Sequence, residues 1–356
     1  MELSEIIQQK IALKRPLSFR DFMECALYHP EKGYYTSSEN IIGENGDFFT
    51  SSSLTPAFGY SIAKQIEAMW SRLGEEQFTI VEYGAGTGLL CKDILTYFKY
   101  ETPLFDRLNY VIIEKSESMK EKERSLPTGK IKWVDSIDEI APFCGCVFSN
   151  ELLDNFSVHK VVMQEKLMEV MVDYADGFAE QLRSADNALV DYFRELKVEL
   201  SRGFQTEINL QAIGWLEEIY EAMEKGFILT IDYGGLSSEL YQQSRREGTL
   251  LCYYKHKIND DPYTNIGKQD ITAHVNFSAL MHFGDKLGFS TAWYSDQGTF
   301  LLKWGFKQLL LKTLDPKDGI FQQARKEARI SRLLLLEMGA KIKVLIQSKN
   351  VDDPEF

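Results

Sequence analysis

The sequence predicts an α/β fold, a Rossmann-like sheet with an N-terminal helical cap and inserted segments. Short apolar, β-branched runs alternate with helical stretches, and this alternation predicts a parallel sheet covered by helices. The first run leads directly into a glycine-rich loop, and polar residues follow the fourth run. The five runs are Phe78 to Tyr83, Tyr110 to Ile113, Ile131 to Val134, Cys146 to Phe148 and Phe227 to Ile231.

The same pattern divides the chain into a core and added segments. Residues 1–75 are helical around a turn-rich middle and predict an N-terminal helical cap. The core is predicted over residues 76–305, with insertions at 156–215 and 236–288, because a crossover between parallel strands needs only one helix. Residues 306–356 predict a C-terminal helical segment.

The last third of the chain carries two further predictions. The stretch from Trp293 to Trp304 predicts a hairpin that turns at Asp296, Gln297 and Gly298. The helical stretch beyond it is amphipathic, and we expect it to pack on its own domain. A homodimer interface is the alternative for this helix.

Length and charge limit the classes of function. With 356 residues, 44% of them hydrophobic, the chain can bury a sizeable core. Its 40 basic and 53 acidic residues give a formal net charge of −13, which opposes attraction to nucleic acid and to anionic membrane surfaces. We therefore expect no nucleic-acid partner, whereas a basic protein substrate would be attracted.

Other sequence patterns point to a cytoplasmic protein. The 5 cysteines and 5 histidines lack the spacing of a disulfide framework or a metal site. Residues 1–14 lack the continuous apolar stretch of a secretory signal. No apolar run approaches the roughly 20 residues that cross a bilayer. We expect neither a metal site nor membrane insertion.

The glycine-rich loop after the first run predicts a ligand site. Gly84, Gly86 and Gly88 lie where the chain must turn sharply from a strand into a helix and let a ligand approach. Glu82 precedes them, and Leu89 stands where a dinucleotide-binding loop would have its third glycine. This variant suits a nucleoside cofactor without phosphates. The alternative is that the glycines only permit tight packing of strand and helix.

Two acidic residues follow the next two strands at the same edge of the sheet. Glu114 ends the second run, where a carboxylate can accept both hydroxyls of a ribose. Asp135 follows the third run, where it can contact an adenine ring or its exocyclic amine. The alternative is that both residues cap the helices that follow them.

Polar residues follow the fourth run, at the edge where open α/β sheets bind their ligands. Asn150 and Glu151 could orient an amine or guanidinium nitrogen, and Asp154 lies just beyond them. A carboxylate can bind the planar fork of arginine bidentately, so Glu151 is the first choice among these catalytic candidates. The alternative is that Asn150 and Asp154 form Asx turns while Glu151 faces solvent.

Several stretches along the chain form a recognisable series in their order and spacing. They include Phe19 to Met23, Tyr28 to Pro30, Gly33 to Tyr35, Gly46 to Ser51, Asn150 to Asp154, Ile231 to Gly234, Gly248 to Leu250, His256 and Gly267 to Phe277. Together they resemble the MidA-like methyltransferases, a family that includes the mitochondrial complex I assembly factor and bacterial relatives, and the similarity covers nearly the whole chain. The resemblance implies a class I methyltransferase fold, S-adenosylmethionine as cofactor, and methyl transfer to a protein, since the mitochondrial member methylates an arginine.

The resemblance also implies that part of the cap closes over the cofactor. The residues concerned are Gly46, Asp47, Phe48, Thr50 and Ser51. From the residues alone, the hydroxyls here serve equally well as N-caps of a helix that starts near Thr55 and Pro56. The chain departs from the family at Ala85 and Thr87, where proline and arginine are common, and after Asp154, where the family usually continues Ala-Leu-Pro.

Together these features predict an S-adenosylmethionine-dependent methyltransferase that acts on a protein side-chain nitrogen, that of arginine. Two alternatives remain in view: a non-catalytic assembly factor that binds the cofactor, and a small-molecule methyltransferase, for which a closed apolar pocket is expected. A dehydrogenase is disfavoured by Leu89 in the glycine loop.

Overall fold

A computed structural model describes residues 1–13, 16–37, 51–124, 129–255, 257–354 and 356. Four residues predicted to contact the cofactor lie outside the described residues: Gly46, Asp47, Phe48 and Thr50. His256, one of the residues that carry the family resemblance, also lies outside them.

A central sheet organises the fold, and its seven long strands are numbered β1 to β7 in chain order. Their spatial order is β3-β2-β1-β4-β5-β7-β6. Strands β1 to β5 are parallel, and β7 runs antiparallel to both of its neighbours. The prediction of a parallel sheet is confirmed for its five strands. The seven strands are Phe78–Tyr83, Leu108–Ile113, Ile131–Val134, Phe143–Asn150, Met223–Gly235, Ser290–Asp296 and Ile342–Lys349.

The strand order reverses between β1 and β4. The chain moves from β1 outward to β2 and β3, and then returns to place β4 on the other side of β1. In open sheets of this kind a crevice forms at the reversal, outside the carboxyl ends of the two strands. The glycine loop follows β1 and the polar residues follow β4, so both meet at this crevice.

The sheet is buried on both faces. Along β5, Phe227, Leu229 and Ile231 belong to one apolar core, whereas Ile228 belongs to the other. This is the reason the strand is a continuous apolar run rather than an alternating one. The first core includes helices Pro56–Arg72, Leu89–Glu101, Gln297–Lys303 and Phe306–Thr313, and the second includes Leu210–Ala222 and Phe277–Leu287.

Two smaller sheets lie within the predicted insertions, and the N-terminal strand Leu17–Ser18 joins the first of them. Helix Phe19–Tyr28 packs against both sheets, since Phe22 shares an apolar core with Val172 and Ile271. The first sheet contains Leu17–Ser18, His159–Met163, Leu167–Tyr174, Phe178–Ser184 and Gln205–Ile208. The second contains Leu251–Tyr254, Lys257–Asn259 and Asp270–Thr272, and the short strand Val275–Asn276 pairs with β5.

The remaining helices are short or peripheral. The α-helices are Leu3–Leu13, Ser51–Leu54, Leu104–Arg107, Glu117–Arg124, Asn187–Glu195, Ser237–Leu240, Ile320–Ser331 and Met338–Lys341. Turns of 3₁₀-helix span Ile137–Ile140, Leu153–Asn155 and Gln243–Arg245, and a π-helical turn spans Arg332–Glu337. Within the described part of the chain, every helix is too short or too polar to cross a membrane.

Two predictions for the last third of the chain are wrong. The predicted hairpin from Trp293 to Trp304 is instead β6 followed by a helix, because the Asp296 side chain accepts the Thr299 N–H at 2.8 Å and caps that helix. The predicted helical segment 306–356 ends in β7. Its apolar residues are buried on both faces between β5 and β6, so they lack the alternation that identifies a half-buried strand.

The register of the central sheet can be tested at Gly145 of β4. This residue pairs with Thr79 of β1 on one side and with Gly226 of β5 on the other. A Cβ at Gly145 would lie 1.9 Å from the backbone oxygen of Thr79. We expect Gly145→Ala to destabilise the protein by more than about 2 kcal/mol, since the clash is with backbone that cannot rotate away. The measurement is urea-induced unfolding monitored by circular dichroism.

Gly214→Ala is the matched control. This glycine lies within helix Leu210–Ala222, and a Cβ there has open space within 4 Å. Alanine should stabilise the protein by about 0.5–1 kcal/mol. Equal unfolding midpoints for the two variants would contradict the strand register described here.

Candidate active site

The loop after β1 bends through three glycines in left-handed conformation. The φ angles of Gly84, Gly86 and Gly88 are 65°, 59° and 72°. Residues with a Cβ rarely adopt this region, so the sequence pattern is required by the path of the backbone. The Gly84 N–H donates to the carbonyl of Ile113 at 3.0 Å, which ties the loop to the end of β2.

A cavity opens beside this loop at the reversal between β1 and β4. The carboxyl groups that line it are those of Glu82, Glu114 and Glu151, each from a different strand or strand end. The described lining includes no lysine or arginine. Its other members are Tyr28, Tyr35, Ser52, Gly84, Ala85, Gly86, Thr87, Leu90, Ser116, Met119, Asn150, Leu152 and Asn155.

Glu114 lies where the sequence predicts it, at the end of β2 facing the glycine loop. Its Oε1 accepts the Ser116 N–H at 2.7 Å. Burial raises the pKa of its carboxyl group, although the backbone N–H donors oppose that shift. Glu114 and Gly86 line the same cavity, so the predicted pairing of loop and carboxylate is present.

Glu82 forms a buried part of the cavity wall. Its side chain is in β1 and is 2% exposed, and its Oε2 accepts the Tyr110 hydroxyl at 2.7 Å. Burial raises the pKa of this carboxyl group to about 8, despite the opposing hydrogen bond. Burial therefore favours the protonated form of Glu82.

A second cavity adjoins the first and shares Tyr28, Gly84, Glu114 and Leu152 with it. Asp135 lines this second cavity rather than the first. The Asp135 side chain is 84% exposed and pairs with Lys120 Nζ at 2.7 Å. Its hydrogen bond with Lys120 lowers the pKa of its carboxyl group. The remaining wall includes Glu24, Tyr83, Ile113, Lys115, Ser136, Ile137, Asp138, Phe156, Gln211, Gly214, Trp215 and Glu218.

Glu151 turns back toward the cavity just after β4. Its φ angle is 52°, an unfavourable value for a residue with a Cβ. Its Oε1 accepts the Ser51 N–H at 3.0 Å, and the Asn150 amide is 3.4 Å away. Burial raises the pKa of the Glu151 carboxyl group to about 7, with Asp232 adding to the shift and the Ser51 N–H opposing it.

The remaining predicted residues divide between the cavity and its surroundings. Asn150 lines the cavity, and its Oδ1 is buried without a hydrogen-bond partner among the described residues. Ser51 reaches the site indirectly, through its backbone contact with Glu151. Asp154 is outside both cavity walls and is buried beside Asp232 and Asp270. Burial first, and then these acids, raise the pKa of Asp154 well above its usual value.

Sequence reasoning missed two tyrosines that the N-terminal segment brings to the cavity. The rings of Tyr28 and Tyr35 stack with centroids 5.6 Å apart. The Tyr28 hydroxyl donates to the Asn155 carbonyl at 3.1 Å, and the Tyr35 hydroxyl donates to Asp270 Oδ1 at 2.9 Å. Both tyrosines occur in stretches that carry the family resemblance, which was the available signal, but only the fold brings them to β4.

Comparison with known proteins identifies the family. Residues 61–295 match the sequence profile of Methyltransf_28, a family of S-adenosyl-L-methionine-dependent methyltransferases. The mitochondrial protein arginine methyltransferase NDUFAF7 homolog of Drosophila melanogaster is 25% identical over 321 residues, covering 80% of this chain and 70% of that protein. Protein arginine methyltransferase NDUFAF7 of Rattus norvegicus is 25% identical over 342 residues, covering 88% and 76%.

Solved structures agree with this match over the whole fold. A Burkholderia thailandensis protein crystallised with S-adenosyl-homocysteine superposes with a TM-score of 0.88 at 30% identity, covering 98% of this chain and 92% of that one. A native structure from the same organism and superfamily gives a TM-score of 0.85 at 30% identity, covering 99% and 94%. The fold and cofactor predictions are confirmed, and the chain belongs to the MidA-like family of S-adenosylmethionine-dependent methyltransferases.

Proposed function

We propose that this methyltransferase methylates a side-chain nitrogen of arginine in a protein. The observation that carries the proposal is the buried Glu151 carboxyl group at the cavity, where the described lining offers no lysine or arginine to neutralise it. A guanidinium group would supply that missing positive charge. Its planar fork also suits bidentate binding to a carboxylate.

The described residues suit the cofactor. The glycine bend leaves room against the backbone, and Glu114 can accept the ribose hydroxyls from the end of β2. In this proposal Asp135, which lines the second cavity, accepts a hydrogen bond from the adenine amine. When bound, the cofactor supplies an electrophilic methyl group on a sulfonium. The protein then needs mainly to position the acceptor nitrogen and stabilise its charge.

Glu151 has two tasks in this proposal. As a carboxylate it orients the guanidinium through hydrogen bonds, which are strong because both partners are charged. As a base it can take the proton that the nitrogen loses on methylation, since its pKa of about 7 is close to neutral pH. Asn150, next to it, has a buried side-chain oxygen with no partner among the described residues, and this oxygen is a further acceptor for an N–H group.

Two further observations favour a protein substrate. The relatives from Drosophila melanogaster and Rattus norvegicus are named protein arginine methyltransferases. The carboxyl groups of Glu82, Glu114 and Glu151 line the first cavity, where they would attract a cationic side chain of a protein. Those relatives are named mitochondrial, and a cytoplasmic location for this chain stays a prediction from its sequence.

Gly86→Val should weaken binding of S-adenosylmethionine. A branched side chain at a φ of 59° strains the loop and adds volume to the cavity wall. A loop that relaxes in the free protein to relieve roughly 1–2 kcal/mol of strain must take up that strain again on binding, which corresponds to about a tenfold rise in Kd. Isothermal titration calorimetry measures this, and Gly74→Val is the control, since Gly74 has a φ of 91° and open space around it. Unchanged affinity in Gly86→Val would remove the loop from the cofactor site.

Glu151→Gln should keep cofactor affinity and lose turnover by about 10²-fold or more, because the glutamine can neither pair with guanidinium nor take a proton. In the parent enzyme, Glu151 is protonated below its pKa of about 7, so kcat/KM should fall as pH drops through 7. That acid limb should be absent in the variant. Glu165→Gln, whose side chain is 87% exposed, is the control. Turnover retained by Glu151→Gln would exclude this role.

The acceptor is identified by incubating cell lysate with the enzyme and isotopically labelled S-adenosylmethionine. Mass spectrometry of the digested proteins should locate the label on arginine. Label on lysine or on small molecules would contradict the proposed acceptor. Cofactor binding without any transfer of label would favour a non-catalytic assembly factor.

A further inference from the structure

The turn that carries Glu151 is fixed by a side chain from the neighbouring strand. The backbone ladder between β4 and β5 ends where Asn150 pairs with Ile231, and the Glu151 N–H still donates to the Ile231 carbonyl at 2.9 Å. Beyond that point the Asp232 carboxylate, and not the backbone of β5, accepts the next backbone N–H groups of the turn. Its Oδ2 accepts the Leu152 N–H at 3.0 Å and the Leu153 N–H at 2.7 Å.

These hydrogen bonds hold Glu151 in its unfavourable conformation. With the amides on both sides anchored to β5, the residue between them is kept at a φ of 52°. Asp232 is itself fixed, because its Oδ1 accepts the Tyr233 N–H at 2.8 Å and its side chain is completely buried. Asp232 also forms hydrogen bonds with Asp154 on the same turn, one with its backbone N–H and one with its carboxyl group.

We propose that Asp232 is a positioning residue for methyl transfer, which holds the turn after β4 so that Glu151 faces the acceptor nitrogen. This inference rests on the role proposed above for Glu151. It assigns Asp232 no contact with the substrate or the cofactor, since Asp232 lies outside the described lining of both cavities. Its effect passes through the backbone of the turn and through its negative charge.

The charge of Asp232 supports the same role. Among the described residues, the ionisable groups that interact with Glu151 are Asp232 and Tyr233 on β5 and Asp154 on the turn itself. Burial is the main cause of the raised pKa of Glu151, and Asp232 raises it further. Removing that charge lowers the pKa of Glu151, so the carboxylate form persists to lower pH.

Two substitutions separate position from charge. Asp232→Ala removes the side-chain acceptor of the Leu152 and Leu153 amides and should lower kcat at least about tenfold, because a misplaced Glu151 no longer aligns the nucleophile. The Kd for S-adenosyl-homocysteine should be almost unchanged. Asp232→Asn keeps an acceptor for the Leu152 and Leu153 amides and should move the acid limb of kcat/KM to lower pH. Asp173→Asn is the control, since Asp173 accepts the N–H of its own neighbour, Tyr174, at 2.8 Å in the inserted sheet.

The decisive comparison places Asp232→Ala in the Glu151→Gln background, where it should cause no further loss of kcat. An equal loss in both backgrounds would overturn the inference, as would an acid limb that does not move in Asp232→Asn. If Asp232→Ala does not fold, the same comparison of kcat in the two backgrounds is made with Asp232→Asn, whose single oxygen cannot accept both from the turn amides and from the Tyr233 N–H. Full turnover in the Glu151→Gln single variant would instead refute the proposed role of Glu151, so the two failures are distinguishable.

Discussion

A backbone bend that only glycine adopts readily makes the rest of this site possible. Between Gly84 and Gly88 the chain leaves β1 through three left-handed residues, and a Cβ on Gly84 would lie 2.8 Å from the Leu152 side chain. The bend keeps side chains out of the crevice at the point where strand order reverses. Glu82, Glu114 and Glu151 then converge on the open space from three separate strands.

The rest of the fold shapes that crevice without altering the sheet. The N-terminal segment places Tyr28 and Tyr35 against the turn after β4 through hydrogen bonds to Asn155 and Asp270. Asp270 belongs to a small sheet in the second insertion. The N-terminal segment and the second insertion, which are far apart in the sequence, therefore meet at the same edge of the central sheet. The wall of the first cavity carries three carboxyl groups, and burial raises their pKa values.

The sequence carried enough information for the parts of the fold that depend on local pattern. The sequence predicts the five parallel strands, the glycine bend and Glu114 because each of them produces a pattern within one short stretch. These patterns are an apolar run, closely spaced glycines, and an acidic residue at the end of a strand. Strand β7 was not predictable, because Ile342–Lys349 is buried on both faces and directly follows a helix. The role proposed for Asp232 could not be predicted from the sequence either. It depends on the amides of Leu152 and Leu153, which lie 80 and 79 positions away along the chain.

The most direct test of the central claim is a crystal structure of this protein with S-adenosyl-homocysteine. We expect the ribose hydroxyls on the Glu114 carboxylate, the backbone of the glycine bend against the ligand, and the sulfur facing Asn150 and Glu151. A ligand seated elsewhere, or a Glu114 side chain turned away from the ribose, would contradict the account.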